Sequence, residues 1–376
     1  MVNYKDLGLV NSREMFKKAM EGKYAIPAFN FNNMEQMQAI VAACVETKSP
    51  VILQVSSGAR KYANQTILRY MAQGAVEYAK ELGCNIPICL HLDHGDTYEL
   101  CVSCIEMGFS SVMIDGSSLP FDENVELTRE VVKYAHERGV SVEGELGVLA
   151  GVEDHVFSTT STYTNPLKAI EFFKKTGVDA LAISYGTMHG ASKGKNVKLR
   201  KEIAIAIKEC MMHEGIFGVL VSHGSSTVPK YIVDEINALG GNIQNAYGIS
   251  IDELKAAIPC GIGKINVDTD IRLAVTRNMK EFFANHPEKR ESQSIGEVYR
   301  LLEAKKEQFD PRAFLTPIMD TVMYGIIPDE DVAALMAVVE KGVKEAIGTL
   351  IVEFGSYGKA PLVEMASLDE MAERYR

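Results

Sequence analysis

A chain of 376 residues, with 47% hydrophobic and 24% charged residues, is long enough to bury a large core. Its net charge of −11 argues against nucleic acid or an anionic membrane as the main partner, but a local basic pocket for phosphate remains compatible with it. No apolar run could cross a bilayer, and residues 1–6 lack the pattern of a signal peptide. Seven cysteines without framework spacing are typical of reduced thiols. The composition predicts a soluble, globular, cytoplasmic protein.

Short apolar runs alternate with longer amphipathic segments along the chain. Several of the amphipathic segments carry helix start or stop signals, and parallel strands need such helices as crossovers. Eight units of this kind without an internal sequence repeat predict an α/β fold, a (β/α)8 TIM barrel. The predicted strands are 24–29, 51–55, 88–92, 111–114, 141–144, 180–184, 218–221 and 262–267, and helical segments include 34–48, 67–82, 123–138, 166–176, 199–212 and 229–239.

Two segments depart from a minimal barrel. The loop 146–164 after the fifth strand is long and rich in glycine and hydroxyl residues, which is typical of a lid or a disordered loop. The stretch after Phe282 carries a charged linker and two further helical patterns. We therefore expect a barrel over residues 1–285 and a C-terminal helical extension over residues 286–376, packed on the barrel or on a neighbouring subunit.

Polar or ionisable side chains follow each predicted strand. In parallel α/β proteins the C-terminal ends of the strands carry the chemistry, so these side chains are expected on one rim of the barrel. They are Asn30, Ser56, Asp93 with His94, Asp115, Glu145, His189, His223, and Asn266 with Asp268.

Three histidines, His94, His189 and His223, lie on that rim. A single histidine is more often structural than a ligand, but three neutral imidazoles together would bind zinc and leave one coordination position open. His91 lies earlier in its strand and is expected in the core or behind the ligands. The remaining histidines are expected at the surface without partners: His136, His155, His213 and His286.

Carboxylates accompany these histidines. By the two-residue period of a strand, Asp93 and His94 point to opposite faces, and Asp93 either exchanges a proton with the substrate or orients a histidine. Asp115 and Glu145 either hold a second or displaced metal ion or orient the ligands. Glu153 lies on the long loop, where a lid carboxylate is suited to proton abstraction but most glutamates are merely solvated.

Two loops are candidates for phosphate binding. Residues 222–226 follow the seventh strand, and residues 266–270 follow the eighth and open a helix. Backbone N–H groups at these positions form the usual phosphate site of barrels, although Asp268, Thr269 and Asp270 also suit a helix N-terminus. Lys264 lies on the same strand face as Asn266, where it could form a Schiff base.

Five motifs together resemble the class II, metal-dependent ketose-bisphosphate aldolases. They occur in order between residues 25 and 274, and residues 310–312 are similar to the C-terminal part of longer members. The resemblance implies reversible cleavage of fructose 1,6-bisphosphate to dihydroxyacetone phosphate and glyceraldehyde 3-phosphate. The motifs are HLDHG (91–95), VEGELG (142–147), GTMHG (186–190), SHGSS (222–226) and KINVDTD (264–270).

The resemblance also implies roles for individual residues. Zinc held by the three rim histidines would polarise the substrate carbonyl and stabilise the enediolate. Asp93 would handle the proton on the C4 hydroxyl, and Glu153 the proton on the enediolate carbon. Arg272 or Arg312 would bind the distal phosphate. A monovalent cation, Na+ or K+, and a homodimer or homotetramer are common in the family. The other implied substrate-binding residues are Asn30, Ser56, Gly190, Gly224, Ser225, Asn266, Asp268 and Thr269.

Four alternatives stay open at this point. Tagatose 1,6-bisphosphate differs from the fructose compound only in configuration at C4, which a few side chains would discriminate. A barrel metallohydrolase would use His91 and His94 as paired ligands. A Schiff-base aldolase would act through Lys264 without a metal. A noncatalytic barrel would have to account for the ionisable residues along the whole rim in some other way.

Overall fold

Eight parallel strands close into a barrel in the computed structural model, which describes residues 8–63, 65–149, 151–153, 156–158, 162–190, 193, 196–319 and 329–376. Their order around the barrel is β1-β10-β9-β8-β5-β4-β3-β2, and β6 and β7 form a separate antiparallel pair. The strands are β1 Ile26–Asn30, β2 Val51–Ser56, β3 Ile88–Gly95, β4 Ser111–Ile114, β5 Ser141–Leu146, β6 Gly151–Glu153, β7 Val156–Ser158, β8 Ala180–Ile183, β9 Val219–Ser222 and β10 Ile262–Val267.

Helices surround the barrel and continue beyond it. The α-helices are α1 Arg13–Gly22, α2 Met34–Glu46, α3 Ser57–Ala63, α4 Gln65–Glu81, α5 Tyr98–Glu106, α6 Phe121–His136, α7 Pro166–Thr176, α8 Lys201–Glu214, α9 Lys230–Ala238, α10 Ile251–Ala257, α11 Thr269–Asn285, α12 Gly296–Ala304, α13 Arg312–Leu315, α14 Glu330–Glu353 and α15 Leu368–Arg374, and short 3-10 turns lie at Ile258–Cys260, Pro287–Glu291, Thr316–Ile318 and Ala360–Leu362.

The predicted TIM barrel with C-terminal helices is confirmed, and each of the eight predicted strands overlaps a barrel strand. Local sequence explains this success, as α7 illustrates. The Asn165 side chain accepts hydrogen bonds from the first backbone amides, Pro166 occupies the first turn, and Gly177 ends the helix in the left-handed region at φ 74°. The loop predicted as a lid or disordered segment contains the β6–β7 pair, and its role as a lid stays a prediction.

Apolar side chains pack inside the barrel toward the N-terminal ends of the strands. Small or branched residues of the strands, including Ala28, Ile52 and Ala182, pack together there, and Phe16 and Met15 of α1 join the same cluster. A second and larger cluster lies between the strands and the surrounding helices. Polar residues such as Asp93 and Asn266 lie toward the opposite end, where the strands terminate.

The C-terminal helices pack on the barrel of the same chain. Helix α14 lies against α2 and α11 and buries Val339, Val343 and Ile347 completely. These residues belong to the same core cluster as the outer face of the barrel strands. One hydrophobic core thus contains residues from both sides of position 285. The division into two domains at that position stays a prediction. No helix within the described ranges is long and apolar enough to span a membrane.

His136 corrects one expectation from the sequence. It was expected at the surface without a partner, but its Nε2 lies 2.9 Å from Oδ2 of Asp179 and its ring stacks on Tyr375 with centroids 3.7 Å apart. The buried Asp179 also accepts hydrogen bonds from Arg13 at 2.7 Å, Tyr375 at 2.9 Å and the amide of Val142 at 2.9 Å. Periodicity cannot reveal partners this distant in the chain.

Candidate active site

The three rim histidines come together at the mouth of the barrel. The ring centroid of His94 lies 4.7 Å from that of His223 and 5.2 Å from that of His189, and the other two rings are 6.2 Å apart. All three side chains are buried. Since His94 lies near the end of β3 and the other two histidines follow β8 and β9, only closure of the barrel places them in one cluster.

A local backbone irregularity brings Asp93 and His94 to the same site. Their predicted placement on opposite strand faces is wrong. His94 has φ 51°, in the left-handed region, and the β3–β4 register shifts between Leu92 and Gly95. Strand alternation is interrupted there, so that ligand atoms of Asp93, His94 and His223 all lie within 4.8 Å of one another.

Carboxylates orient two of the histidines by contacting the ring nitrogen that faces away from the other histidine. Nδ1 of His94 lies 3.1 Å from Oδ2 of Asp115, and Nε2 of His223 lies 2.7 Å from Oε1 of Glu143. The remaining nitrogens, Nε2 of His94 and Nδ1 of His223, face each other at 3.1 Å. Each imidazole thus presents one nitrogen inward while a carboxylate contacts the other, as is usual for metal-bound histidines.

The donor set fits a divalent metal such as zinc. Imidazole nitrogens and carboxylate oxygens are the ligands that zinc takes, and the side chains of Asp93, His94 and His223 are buried. A second group of ligand atoms, from His94, Asp115 and Glu145, also lies within 4.8 Å of one another. Either group could hold the ion, and His189 lies beside both through its contact with His94.

The electrostatic field of the cluster favours positive charge. Burial alone would lower the pKa of His94, but the hydrogen bond with Asp115 and the charges of Asp93 and Glu145 outweigh burial and raise that pKa well above its usual value. The pKa of Asp115 is lowered because His94 outweighs the effect of burial. In His223 burial dominates, and its pKa is lowered despite Glu143. The carboxylates thus favour positive charge at His94, while burial disfavours it at His223.

Two amide side chains hold the carboxylate of Asp93. Nδ2 of Asn30 donates to Oδ2 at 2.8 Å, and Nδ2 of Asn266 lies 3.5 Å from Oδ1. Gln54 in turn donates to Oδ1 of Asn30 at 2.8 Å. Asp93 is fully buried and therefore has a fixed orientation beside the histidines. Ser56 ends β2 opposite Asp93 in the strand register.

A buried polar network lies below the histidines and engages the two residues, His91 and Lys264, on which two of the alternatives depend. Nε2 of His91 contacts Nζ of Lys264 at 3.2 Å and its Nδ1 contacts Ser111 at 2.8 Å, so both ring nitrogens are engaged within the core. Lys264 is buried and pairs with Oε2 of Glu143 at 2.6 Å. His91 is therefore not placed as a partner ligand of His94, and Lys264 is engaged in an ion pair.

Burial and charge set the protonation states in this network. Burial, followed by the charge of Lys264, lowers the pKa of His91 well below its usual value. Burial opposes ionisation of Glu143, but Lys264 and His223 outweigh it and lower the pKa of this carboxyl. The network therefore contains a neutral imidazole and an ionised carboxylate.

A cavity of about 280 Å³ adjoins the histidine cluster. Its wall contains residues that the sequence analysis assigned to substrate binding, at the ends of β8, β9 and β10 and in the loops that follow them. Both candidate arginines lie in the same wall. Ser226, Lys193 and Phe309 line it as well. The predicted residues in its wall are Gly190, Gly224, Ser225, Asn266, Asp268, Thr269, Arg272 and Arg312.

Acidic side chains hold both arginines in the cavity wall. Arg272 donates to Asp268 through Nε at 2.9 Å and to Asp310 through Nη1 at 2.8 Å. Arg312 donates to Asp310 through Nη2 at 2.6 Å. Asp310 thus bridges two guanidinium groups, and burial, which would raise its pKa, is outweighed by the hydrogen bond with Arg312 and the charge of Arg272, so that this pKa is lowered.

The start of α11 forms another wall of the cavity. Oγ of Ser226 accepts hydrogen bonds from the backbone amides of Asp268 at 3.2 Å and Thr269 at 3.1 Å. Asp270 accepts hydrogen bonds from the amides of Thr227 at 2.9 Å and Val228 at 2.7 Å. The loop after β9 is thereby tied to the N-terminus of a helix, where the helix dipole favours an anion.

Two glycines allow loops to approach the histidines closely. Gly224 has φ 58°, and a Cβ there would lie 2.3 Å from the carbonyl oxygen of Met188. Gly151 has φ 114°, and a Cβ there would lie 2.4 Å from the carbonyl oxygen of His189. Strand β6, which ends at Glu153, thus begins against the backbone of His189. The side chain of Glu153 and all of His155 lie outside the described part of the structure.

Two site residues, Glu143 and Lys193, were missed at the sequence level, and Ser226 was named only as part of the loop 222–226. Glu143 is two residues before Glu145 on β5, and alternation could have placed both inside the barrel. Ser226 follows the predicted Ser225 directly. Lys193 lies in a loop without periodicity, and only the fold brings it to the cavity.

Comparisons with known proteins agree with this geometry. The family model "Fructose-bisphosphate aldolase class-II" matches residues 10–359. Fructose-bisphosphate aldolase of Treponema pallidum (strain Nichols) is 51% identical over 331 residues, covering 85% of this chain and 94% of the relative. The enzyme of the same name from Giardia intestinalis is 42% identical over 98% of this chain and 99% of the relative.

Solved structures give the same result. The X-ray crystal structure of the YdjI aldolase from Escherichia coli K12 superposes with a TM-score of 0.66 at 28% identity, covering 94% of this chain and 99% of that one. The family match spans nearly the whole chain and includes the barrel, the histidine cluster and the adjoining cavity. The chain belongs to the class II fructose-bisphosphate aldolases, a family of metal-dependent lyases.

Proposed function

We propose that this protein catalyses the reversible aldol cleavage of fructose 1,6-bisphosphate to dihydroxyacetone phosphate and glyceraldehyde 3-phosphate. One observation carries the proposal. Asn266 contacts both Asp93 and Nε2 of His223, the latter at 3.1 Å, and also lines the phosphate cavity. A proton-transfer group, a candidate metal site and an anion pocket therefore meet at one side chain, as a phosphorylated ketose substrate requires.

We assign His94, His189 and His223 as the zinc ligands, with Asp115 and Glu145 as orienting groups or as an alternative position for the ion. Support comes from the clustering of the three rings and from the carboxylates behind His94 and His223. When bound, zinc supplies Lewis-acid polarisation of the ketose carbonyl.

Asp93 accepts the proton of the C4 hydroxyl as the C3–C4 bond breaks in the cleavage direction. The electron pair of that bond passes to the dihydroxyacetone half, and C4 becomes the aldehyde carbon. Asn30 and Asn266 keep the Asp93 carboxylate in place for this transfer. We assign Glu153 the return of a proton to C3, which is supported by the start of β6 against His189.

The cavity beside the cluster is proposed to hold phosphate. Gly190, Gly224, Ser225, Asp268 and Thr269 would bind the dihydroxyacetone phosphate end through backbone and hydroxyl groups, with Asn30 and Ser56 nearer to the carbon chain. Arg272 or Arg312 would bind the distal phosphate, because guanidinium groups match phosphate geometry. A monovalent cation, Na+ or K+, is proposed beside the phosphate loops.

The assembly and compartment are also proposals. A homodimer or homotetramer is proposed, in keeping with the family resemblance and with exposed apolar side chains such as Tyr231 and Val352. The cytoplasm is proposed because all seven cysteines are free thiols.

A direct assay tests the proposed reaction. Aldolase activity on fructose 1,6-bisphosphate should be lost after prolonged EDTA treatment and recovered on zinc addition. Tagatose 1,6-bisphosphate assayed in parallel identifies the preferred C4 configuration. Activity that survives chelation but is abolished by borohydride in the presence of substrate would instead assign the reaction to a Schiff base on Lys264.

A further inference from the structure

A chain of buried polar contacts crosses the barrel interior beneath the metal-binding histidines. Lys264 on β10 donates to Oε2 of Glu143 on β5 at 2.6 Å and contacts Nε2 of His91 on β3 at 3.2 Å. Glu143 contacts Nε2 of His223 through its other oxygen at 2.7 Å. His91 contacts Ser111 at 2.8 Å. All five side chains are buried.

The chemistry of the donors fixes the direction of each hydrogen bond. An ammonium group only donates, so Nε2 of His91 accepts from Lys264, and Nδ1 of His91 therefore donates to Ser111. A carboxylate only accepts, so Nε2 of His223 carries a proton that it donates to Glu143 at 2.7 Å. The amide nitrogen of Asn266 also only donates, so it bonds to the other ring nitrogen, Nδ1, at 3.3 Å. In a neutral His223, Nδ1 is therefore the nitrogen with the lone pair, and it lies 3.1 Å from Nε2 of His94.

We propose that Glu143 and Lys264 are a positioning pair: Glu143 fixes the tautomer and orientation of His223, Lys264 holds Glu143 in place, and together they set the affinity of the site for zinc. The inference rests on the proposed role of His223 as a zinc ligand. Neither residue lines the cavity proposed for phosphate. A buried carboxylate without Lys264 would carry an uncompensated charge, and His223 without Glu143 would be able to rotate or change tautomer.

A double-mutant cycle separates positioning from simple charge balance. Glu143→Met alone leaves Lys264 uncompensated and should lower the melting temperature of the zinc-free protein, and Lys264→Met alone should do the same. The double variant E143M/K264M removes both charges and the acceptor for His223 while retaining similar shapes. We expect it to melt within a few degrees of the wild type.

The decisive readout is zinc affinity, measured by competition with a chromophoric chelator on the full-length protein. The double variant should bind zinc at least about tenfold more weakly than the wild type and release it faster, as for other partners of metal-bound histidines. Wild-type zinc affinity in a well-folded double variant would overturn the proposal. If His94→Ala also left zinc affinity unchanged, the metal site itself would be wrongly assigned.

A spectroscopic measurement on the wild-type protein tests the proposal even if the variants do not fold. In zinc-free protein labelled with 15N-histidine, the resonances of His223 can be assigned by their disappearance in His223→Gln. A proton on Nε2 is the expected result. A proton on Nδ1 would contradict the orientation by Glu143 and overturn the inference.

Discussion

The amide of Asn30 at the end of β1 donates a hydrogen bond of 2.8 Å to Oδ2 of Asp93 near the end of β3. The two residues are 63 positions apart in the chain, and β2 lies between their strands in the barrel. This contact fixes the carboxylate to which we assign the first proton transfer.

Replacement of Asp93 by Asn should lower kcat by about 10²- to 10⁴-fold, because the amide cannot accept the C4 hydroxyl proton. Steady-state kinetics should show a much smaller change in KM, and the zinc content should stay close to that of the wild type. The neighbouring exposed Asp96, changed to Asn, is the matched control and should retain activity. A wild-type kcat in Asp93→Asn would assign the proton transfer to another group.

Replacement of His94 or His223 by Ala should abolish bound zinc and activity together. Each side chain presents a nitrogen to the cluster, and the carboxylates behind them cannot by themselves form the same site. Metal content by plasma emission spectrometry and the aldolase assay check this outcome. His213, an exposed histidine on α8, is the control when changed to Ala. Retention of stoichiometric zinc in both site variants would refute the ligand assignment.

Replacement of Arg312 by Ala should raise KM for the bisphosphate substrate by about 10- to 100-fold, which corresponds to one charge-assisted hydrogen bond of about 1.5–3 kcal/mol. Arg312 is preferred to Arg272 for this test because Arg272 also holds Asp268 at the start of α11. Arg300, an exposed residue paired with Glu297, provides an Arg→Ala control. An unchanged KM would remove Arg312 from the substrate site.

Asp179 should make protein stability sensitive to acid. Burial would raise its pKa, but the hydrogen bond with His136 and the charge of Arg13 outweigh burial and lower that pKa below the unfolded value of about 3.9. The stabilisation is therefore fully present above about pH 4 and is lost as the pH falls through the lower pKa of the folded state.

The substitution Asp179→Asn should accordingly destabilise the protein by about 3 kcal/mol at neutral pH, because Arg13 loses a buried ionic partner. Thermal unfolding at several pH values checks this, and the difference from the wild type should shrink as the pH falls below about 4. Asp234→Asn, which removes an exposed ion pair with Lys230, is the control. A difference that does not vary with pH would show that the ionisation of Asp179 is not its source.

Sequence periodicity determined the barrel and its functional rim. Each strand is an apolar run bounded by helix signals, and the polar residues that follow the strands necessarily meet at one end once parallel strands close. The motifs on that rim, such as SHGSS and KINVDTD, were also sufficient to indicate the aldolase family and to predict most of the cavity wall.

Tertiary structure decided the details that depend on backbone irregularity and on distant partners. The left-handed φ of His94 and the shift in strand register bring Asp93 and His94 to one cluster, where simple alternation separates them. The pairing of Glu143 with Lys264 and of His136 with Asp179 joins residues from different elements. Such contacts depend on how strands and helices are arranged in space, and a local sequence pattern carries no record of that arrangement.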